Sequence, residues 1–200
     1  VKSLRIIEAA GQLLPGFDAE FALAARDELI KHGVQVQVNE RVTEFLGGAC
    51  VEQAATERTR YDADVVIVSA GVVPSTEFAD GLKKLPNGAI VTDEAMKTSE
   101  EGVFAAGDCA SVMHKLLQKP VYLPLGTYAN KQGRLAGDSV CGAKVSYDCA
   151  LGTVMLRCMG LEFAKVGLTE EEAKAAGMAV KSVTVRANSR PHYYPDGCEI

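Results

Sequence analysis

Hydrophobic residues in this chain recur with two periods, and each period predicts a kind of element. Leu4, Ile6 and Ile7 give the apolar content of a strand over Val1–Glu8. Phe21, Ala24, Ala25 and Leu29 then recur at helical spacing. They predict a helix from Ala19 to Lys31, with Asp18 as its N-cap and Gly33 as its stop. Val34, Val36 and Val38 alternate with glutamines, the two-residue period of a half-covered strand. Arg41–Leu46 and Cys50–Thr56 flank Gly47-Gly48 and predict a hairpin. Val65-Val66-Ile67-Val68 is continuously apolar and reads as a buried parallel strand, followed by the turn Gly71-Val72-Val73-Pro74.

In the second half the apolar runs are shorter. Phe78–Leu85 suggests a short helix and Asn87-Gly88 a turn. Ala89–Thr92 and Met96–Thr98 lead to Val103-Phe104-Ala105-Ala106, which is short enough for a buried strand and too short for a typical helix. Lys119–Pro124 is extended and bounded by prolines. Leu125-Gly126-Thr127 opens a helical run from Tyr128 to Cys141, containing Ala129, Gln132, Leu135 and Ala136 and stopped by Gly142. Gly152–Arg157 and Glu162–Val166 read as strands. Thr169 with Glu170, Glu171 and Glu172 marks a helix start, and Ala179–Arg186 reads as a further strand.

Composition narrows the classes. With 48% hydrophobic and 24% charged residues, the chain resembles an ordinary globular protein. A net charge of −5 disfavours a nucleic-acid partner. No apolar run approaches the roughly 20 residues that span a bilayer, and no signal peptide is expected. The six cysteines, Cys50, Cys109, Cys141, Cys149, Cys158 and Cys198, contain no C-x-x-C pair and have no histidine cluster beside them. No metal site is therefore expected, and free thiols in a reducing cytoplasm are. Cys109 follows Asp108 directly, and a packed thiol is favoured over a redox role there.

Two acids stand where ligands bind in α/β sheets, beyond the carboxyl ends of strands. Asp108 follows Gly107, which lets the backbone turn and a ligand approach closely. An ionised carboxylate only accepts hydrogen bonds, so it suits a ligand rich in hydroxyls, such as a ribose or ribityl chain. The same residues also read as a plain strand and Asp turn. Glu8 ends the first strand, as the ribose-binding acid does in dinucleotide folds. It would accept from a bare ribose and repel a 2′-phosphate, which favours NADH over NADPH, although a solvated loop acid is the plainer reading. Gly71 would let a cofactor come close.

Thr98 followed by Phe104-Ala105-Ala106-Gly107-Asp108 resembles the second flavin motif of the FAD-dependent pyridine nucleotide-disulfide oxidoreductases. Glu8-Ala9-Ala10-Gly11-Gln12-Leu13-Leu14-Pro15-Gly16-Phe17-Asp18 resembles the loop after the ribose-binding strand in the same family, and Ser69–Thr76 the turn closing its nicotinamide domain. The resemblance implies an α/β chain of partial Rossmann-like NAD(P)- and FAD-binding segments, followed by part of an α+β dimerisation domain. The later part of the NAD(P) domain would cover residues 1–76, the second FAD segment 77–146, and the truncated dimerisation domain 147–200.

The resemblance also assigns roles. Val103, Phe104, Ala105, Ala106, Gly107 and Asp108 would bind FAD, with the helix start at Leu125, Gly126 and Thr127 against its ring; Glu8 and Gly71 would bind NAD. Lys131 is a candidate substrate contact, with an exposed helix lysine as the favoured alternative. Arg190-Pro191-His192-Tyr193-Tyr194-Pro195 resembles the tyrosine-rich segment of the branch containing coenzyme A disulfide reductases and NADH oxidases. It makes Tyr193, then Tyr194, candidates for the acceptor side, with interface packing as the commoner use of such residues. The implied activity passes hydride from NAD(P)H through FAD to a coenzyme A-type disulfide or persulfide, or to dioxygen or peroxide, in a cytoplasmic homodimer. Alternatives are a reductase of a small electron-transfer protein and a non-catalytic dimerising module.

No G-x-G-x-x-G occurs in the chain, although a full member would carry two, and none of the cysteines matches the family's redox cysteine. The chain begins without Met, so a piece of a longer protein is expected. Alone, it is expected to bind FAD poorly and to be inactive.

Overall fold

In the computed structural model, described for residues 2–147, 149–195 and 197–198, the first element is the strand β1 (Leu4–Ile7). Val1, Asp148, Asp196, Glu199 and Ile200, which the sequence reading placed in the first strand or the third domain, lie outside the described residues. Helix α1 (Ala19–Lys31) carries the chain back to β2 (Val34–Gln37), which pairs parallel with β1 from Leu4↔Val34 to Ile7↔Gln37. A parallel pair needs such a crossover, and the helix covers one face of it. The helix has the predicted bounds, but its buried stripe is Ala22, Ala25 and Leu29; Phe21 and Ala24 are exposed. The small alanines let the helix approach its neighbours closely, and the larger Phe21 is left in solvent.

The strands β3 (Val42–Leu46), β4 (Gln53–Thr56) and β5 (Arg60–Asp62) form an antiparallel meander. The hairpin at Gly47 matches the sequence expectation, whereas β5 was not foreseen. A Cβ at Gly47 would stand 2.1 Å from the Cys50 carbonyl oxygen, so no other residue fits that turn without movement.

Three expected elements are absent. Val65–Val68 is neither paired nor buried: Val65 is 78% and Ile67 86% exposed. A strand exists only through its ladder, and among the described residues no segment pairs with this run. Phe78–Leu85 forms turns instead of a helix, with the Ala79 N–H donating to the Thr76 carbonyl, and Phe78 is exposed. Ala179–Arg186 has no strand pairing among the described residues, and Val183 and Val185 are exposed. Val103–Ala106 reaches strand pairing only at Phe104, which bridges Lys97; Val103 is exposed and Ala105 buried.

Beyond it, β6 (Val112–His114) pairs antiparallel with β7 (Lys119–Val121), and α2 follows over Gly126–Val140. The hairpin of β8 (Val154–Cys158) and β9 (Leu161–Lys165) packs on α1, where Phe17, Ala25 and Phe163 form a core with Leu14, Leu156 and Cys158. The Phe17 and Phe163 rings meet edge to face at 6.2 Å. Burying each such ring stabilises the fold by roughly 1.5–3 kcal/mol. A second core, built on Val112, Tyr128 and Ala150, holds the start of α2.

By its internal contacts the chain divides into the units Val1–Leu168 and Thr169–Ile200. The second contains α3 (Glu170–Ala175), which starts as its sequence predicts. The Thr169 N–H donates to Glu172 Oε2 at 2.8 Å and Thr169 Oγ1 accepts from the Glu172 N–H at 3.1 Å, a reciprocal cap. No described helix is long and apolar enough to cross a membrane.

Candidate functional site

The turn around Asp108 is closed by the backbone on both sides. Ala105 N–H donates to the Met96 carbonyl at 3.1 Å and Ala110 N–H to the Gly107 carbonyl at 3.0 Å. Ile90 N–H donates to the Cys109 carbonyl and Ser111 N–H to the Ile90 carbonyl, both at 2.8 Å. Gly107 sits at φ +85°, a conformation that strains any residue with a side chain. The backbone reverses there, and Asp108 emerges exposed.

Asp108 lines an open hollow of about 360 Å³ together with Cys109, Tyr122, Val72, Val73, Pro74 and Ser75. The hollow thus brings the Asp108 turn to the segment that follows Gly71. Gly71 itself, at φ +89° and exposed, is not among the lining residues. Burial pushes the Tyr122 phenol above its ordinary range, and the Asp108 carboxylate adds to the shift. Tyr122 therefore stays a neutral donor at physiological pH. The sequence reading missed it; the proline-bounded run Lys119–Pro124 was the available signal. Cys109 is half-buried, and its thiol donates to the Ala106 carbonyl at 3.3 Å.

Helix α2 starts beside this turn. Leu125, the N-cap, is extended at φ −129° and is anchored by its side chain in the core of Val112, Tyr128 and Ala150. Gly126 and Thr127 are exposed in the first turn, and their N–H groups precede the first acceptor that the helix supplies, the Leu125 carbonyl, which takes the Tyr128 N–H at 2.9 Å. The first turn holds no acid, so nothing on the helix itself offsets its positive end. Lys131 is exposed on α2 and does not line the hollow. The donor set fits FAD: an accepting carboxylate for a hydroxylated chain, a neutral phenol, and a helix start suited to negative charge.

Glu8 stands apart from the hollow, at the end of β1. Its loop is tied at several points. Its N–H donates to the Gln37 carbonyl at 2.8 Å, and its carbonyl accepts from Glu40 N–H at 3.0 Å. Glu8 Oε1 accepts from the Ala10 N–H at 2.7 Å, which fixes the carboxylate and leaves its second oxygen for another donor. Tyr193 and Tyr194 belong to the second unit and are exposed, with ring centroids 5.2 Å apart; His192 stacks edge to face on Tyr193 at 5.5 Å. Among the described residues no group of His, Cys, Asp or Glu is arranged to hold a metal.

The pyridine nucleotide-disulphide oxidoreductase family model matches residues 1–133. The chain belongs to this family. The family member from Pyrococcus furiosus described as a CoA-dependent NAD(P)H sulfur oxidoreductase is 39% identical over 186 residues, which is 92% of this chain and 42% of that protein. The structure of a NAD-dependent persulfide reductase from A. fulgidus superimposes with a TM-score of 0.91 at 32% identity, covering 98% of this chain and 37% of that one. The water-forming NADH oxidase from Lactobacillus brevis, bound to NADH, superimposes with a TM-score of 0.90 at 32% identity, covering 96% of this chain and 43% of that one. The chain therefore spans less than half the length of these relatives. Their likeness over nearly all of it bears out the α/β, partly Rossmann-like class expected from the sequence.

Proposed function

We propose that this chain is part of a cytoplasmic, homodimeric flavoprotein that passes hydride from NAD(P)H, with NADH favoured, by way of FAD to a coenzyme A-type disulfide or persulfide, or to dioxygen or peroxide. The relatives named above carry persulfide reductase, sulfur oxidoreductase and NADH oxidase descriptions, which support this range of acceptors. The observation that carries the reading is the exposed carboxylate of Asp108 over the hollow it shares with Val72–Ser75. Asp108 binds the hydroxylated chain of FAD, and Val103, Phe104, Ala105, Ala106 and Gly107 bring the backbone to it. Leu125, Gly126 and Thr127 form the helix start against the ring, with the N–H groups of Gly126 and Thr127 as donors. Glu8 and Gly71 bind NAD, Glu8 through the ribose hydroxyls. Lys131 contacts the substrate, and Tyr193, with Tyr194, serves the acceptor side in the dimer. When bound, FAD supplies the two-electron chemistry; these residues supply binding and orientation.

In this reading residues 1–76, 77–146 and 147–200 are parts of the nicotinamide, flavin and dimerisation domains, and the chain alone is inactive. The six unpaired thiols agree with a reducing compartment. The test is to purify the full-length protein, record its flavin absorbance, and follow its bleaching by NADH before adding coenzyme A disulfide, a coenzyme A persulfide or dioxygen. Bound flavin that NADH bleaches and one of these acceptors restores supports the reading. Purified protein that takes up no FAD overturns it.

A further inference from the structure

Gln132 lies on α2, 2% exposed, and uses both ends of its carboxamide. Its Oε1 accepts from the Gly107 N–H at 2.9 Å and its Nε2 donates to the Ser111 carbonyl at 3.0 Å. These two groups bracket the turn that carries Asp108. Ser111 is itself fully buried, and its carbonyl also accepts from Thr92 Oγ1 at 3.1 Å. A Cβ placed on Gly107 would stand 4.0 Å from Ala129 Cβ, so the turn rests directly on the first half of α2.

We propose that Gln132 is a positioning residue, which clamps the Gly107–Ser111 turn onto α2 and thereby sets Asp108 at the hollow. A long side chain with one acceptor and one donor is needed to hold both sides of the turn. A leucine fills the volume and makes neither bond; an asparagine is one methylene too short to make both. Without the clamp, the half-buried Gly107 N–H loses the Gln132 acceptor, and the turn is free to shift toward water. Asp108 would then spend less time in its ligand-binding position. The two candidate FAD elements, the Asp108 turn and the α2 start, would lose their fixed spacing. This inference rests on the reading of Asp108 as the FAD anchor.

The test is a double-mutant cycle in the full-length protein, with FAD titrated into the apoprotein. Gln132→Leu should weaken FAD binding about tenfold, the factor that one well-made hydrogen bond represents. In an Asp108→Ala background the same substitution should change affinity by less than about twofold, because it acts through Asp108. The melting temperature of each apoprotein separates binding from loss of fold. If Gln132→Leu does not fold, Gln132→Asn runs the same cycle. Unchanged FAD affinity in Gln132→Leu, or an equal loss in both backgrounds, overturns the proposal while leaving the FAD reading in place. Wild-type protein that takes up no FAD overturns that reading and this inference with it.

Discussion

Glu8 and Asp108 are both acids beyond extended segments, yet the protein holds them in different ways. Glu8 is fixed by its own loop: the Ala10 N–H, two positions on, grips one carboxylate oxygen at 2.7 Å. Below that loop, Leu13 packs with Leu29 and Val34, while Phe17 packs with Ala25 and Phe163. Asp108 has a bed of smaller side chains: Ala105 and Ala110, on either side of it, pack with Ile90, and Ala79, Leu82 and Cys109 lie against them. Its turn is held in addition by Gln132, Ser111 and Thr92, polar groups that are almost fully buried. An apolar brace sets where a loop lies, while local hydrogen bonds set where its side chain points. A buried polar network does both at once but fails if one member is lost, because each unpaired group is then costly.

The largest effect is expected from breaking the apolar brace. Phe163→Ala should lower the stability of the full-length protein by about 3–5 kcal/mol, read as a shift in its denaturant midpoint. It should weaken NADH binding and leave FAD affinity nearly unchanged, since Phe163 packs below the Glu8 side. A loss under about 1 kcal/mol would mean that the β8–β9 hairpin does not brace α1.

Smaller is the effect of Glu8→Ala. Removing a carboxylate that accepts from a ribose hydroxyl should raise the KM for NADH about tenfold, the size of a charge-assisted hydrogen bond. The KM for NADPH should fall or stay level, because the repelling charge is gone. Parallel changes for both cofactors would remove Glu8 from the ribose site.

The mildest test uses pH. Glu40 is buried at the point where its N–H meets the Glu8 carbonyl, and its carboxylate accepts from Thr56 at 2.6 Å and Tyr61 at 2.9 Å. The Thr56 hydroxyl, foremost, holds the Glu40 carboxyl below the usual range; Tyr61, Arg58 and Arg5 act in the same direction against the effect of burial. A carboxyl depressed in the folded state contributes stability that is present above its unfolded value of about 4.3 and is lost as pH falls through the folded value. Glu40→Gln should flatten that acid limb relative to wild type in urea unfolding followed at successive pH values. An unchanged limb would show that Glu40 titrates alike in both states.

The elements that could be read from the sequence are those whose signals are local. Asp18 to Gly33 marks both ends of α1, Gly47-Gly48 marks the hairpin, and Thr169 with Glu172 marks the cap of α3. Val65–Val68 has the sequence of a buried strand, but burial depends on partners, which its own residues do not encode. Ala179–Arg186, without strand pairing among the described residues, failed for the same reason, while Phe78–Leu85 gave way to turns. At the candidate site, Gly107 and Asp108 stood out because a glycine before an acid at a strand tip has a local meaning. Gln132 read only as helix content, and Tyr122 as part of an extended run. Their importance comes from contacts 25 positions away for Gln132, and from the hollow for Tyr122, neither of which leaves a mark on adjacent residues.

The central claim concerns the side chain of Asp108, and an FAD titration of the full-length apoprotein tests it most directly. Asp108→Ala should weaken FAD binding on the order of 100-fold relative to wild type, as expected for hydrogen bonds to a charged acceptor, without lowering the melting temperature of the apoprotein. Equal FAD affinity in the two proteins would contradict the account.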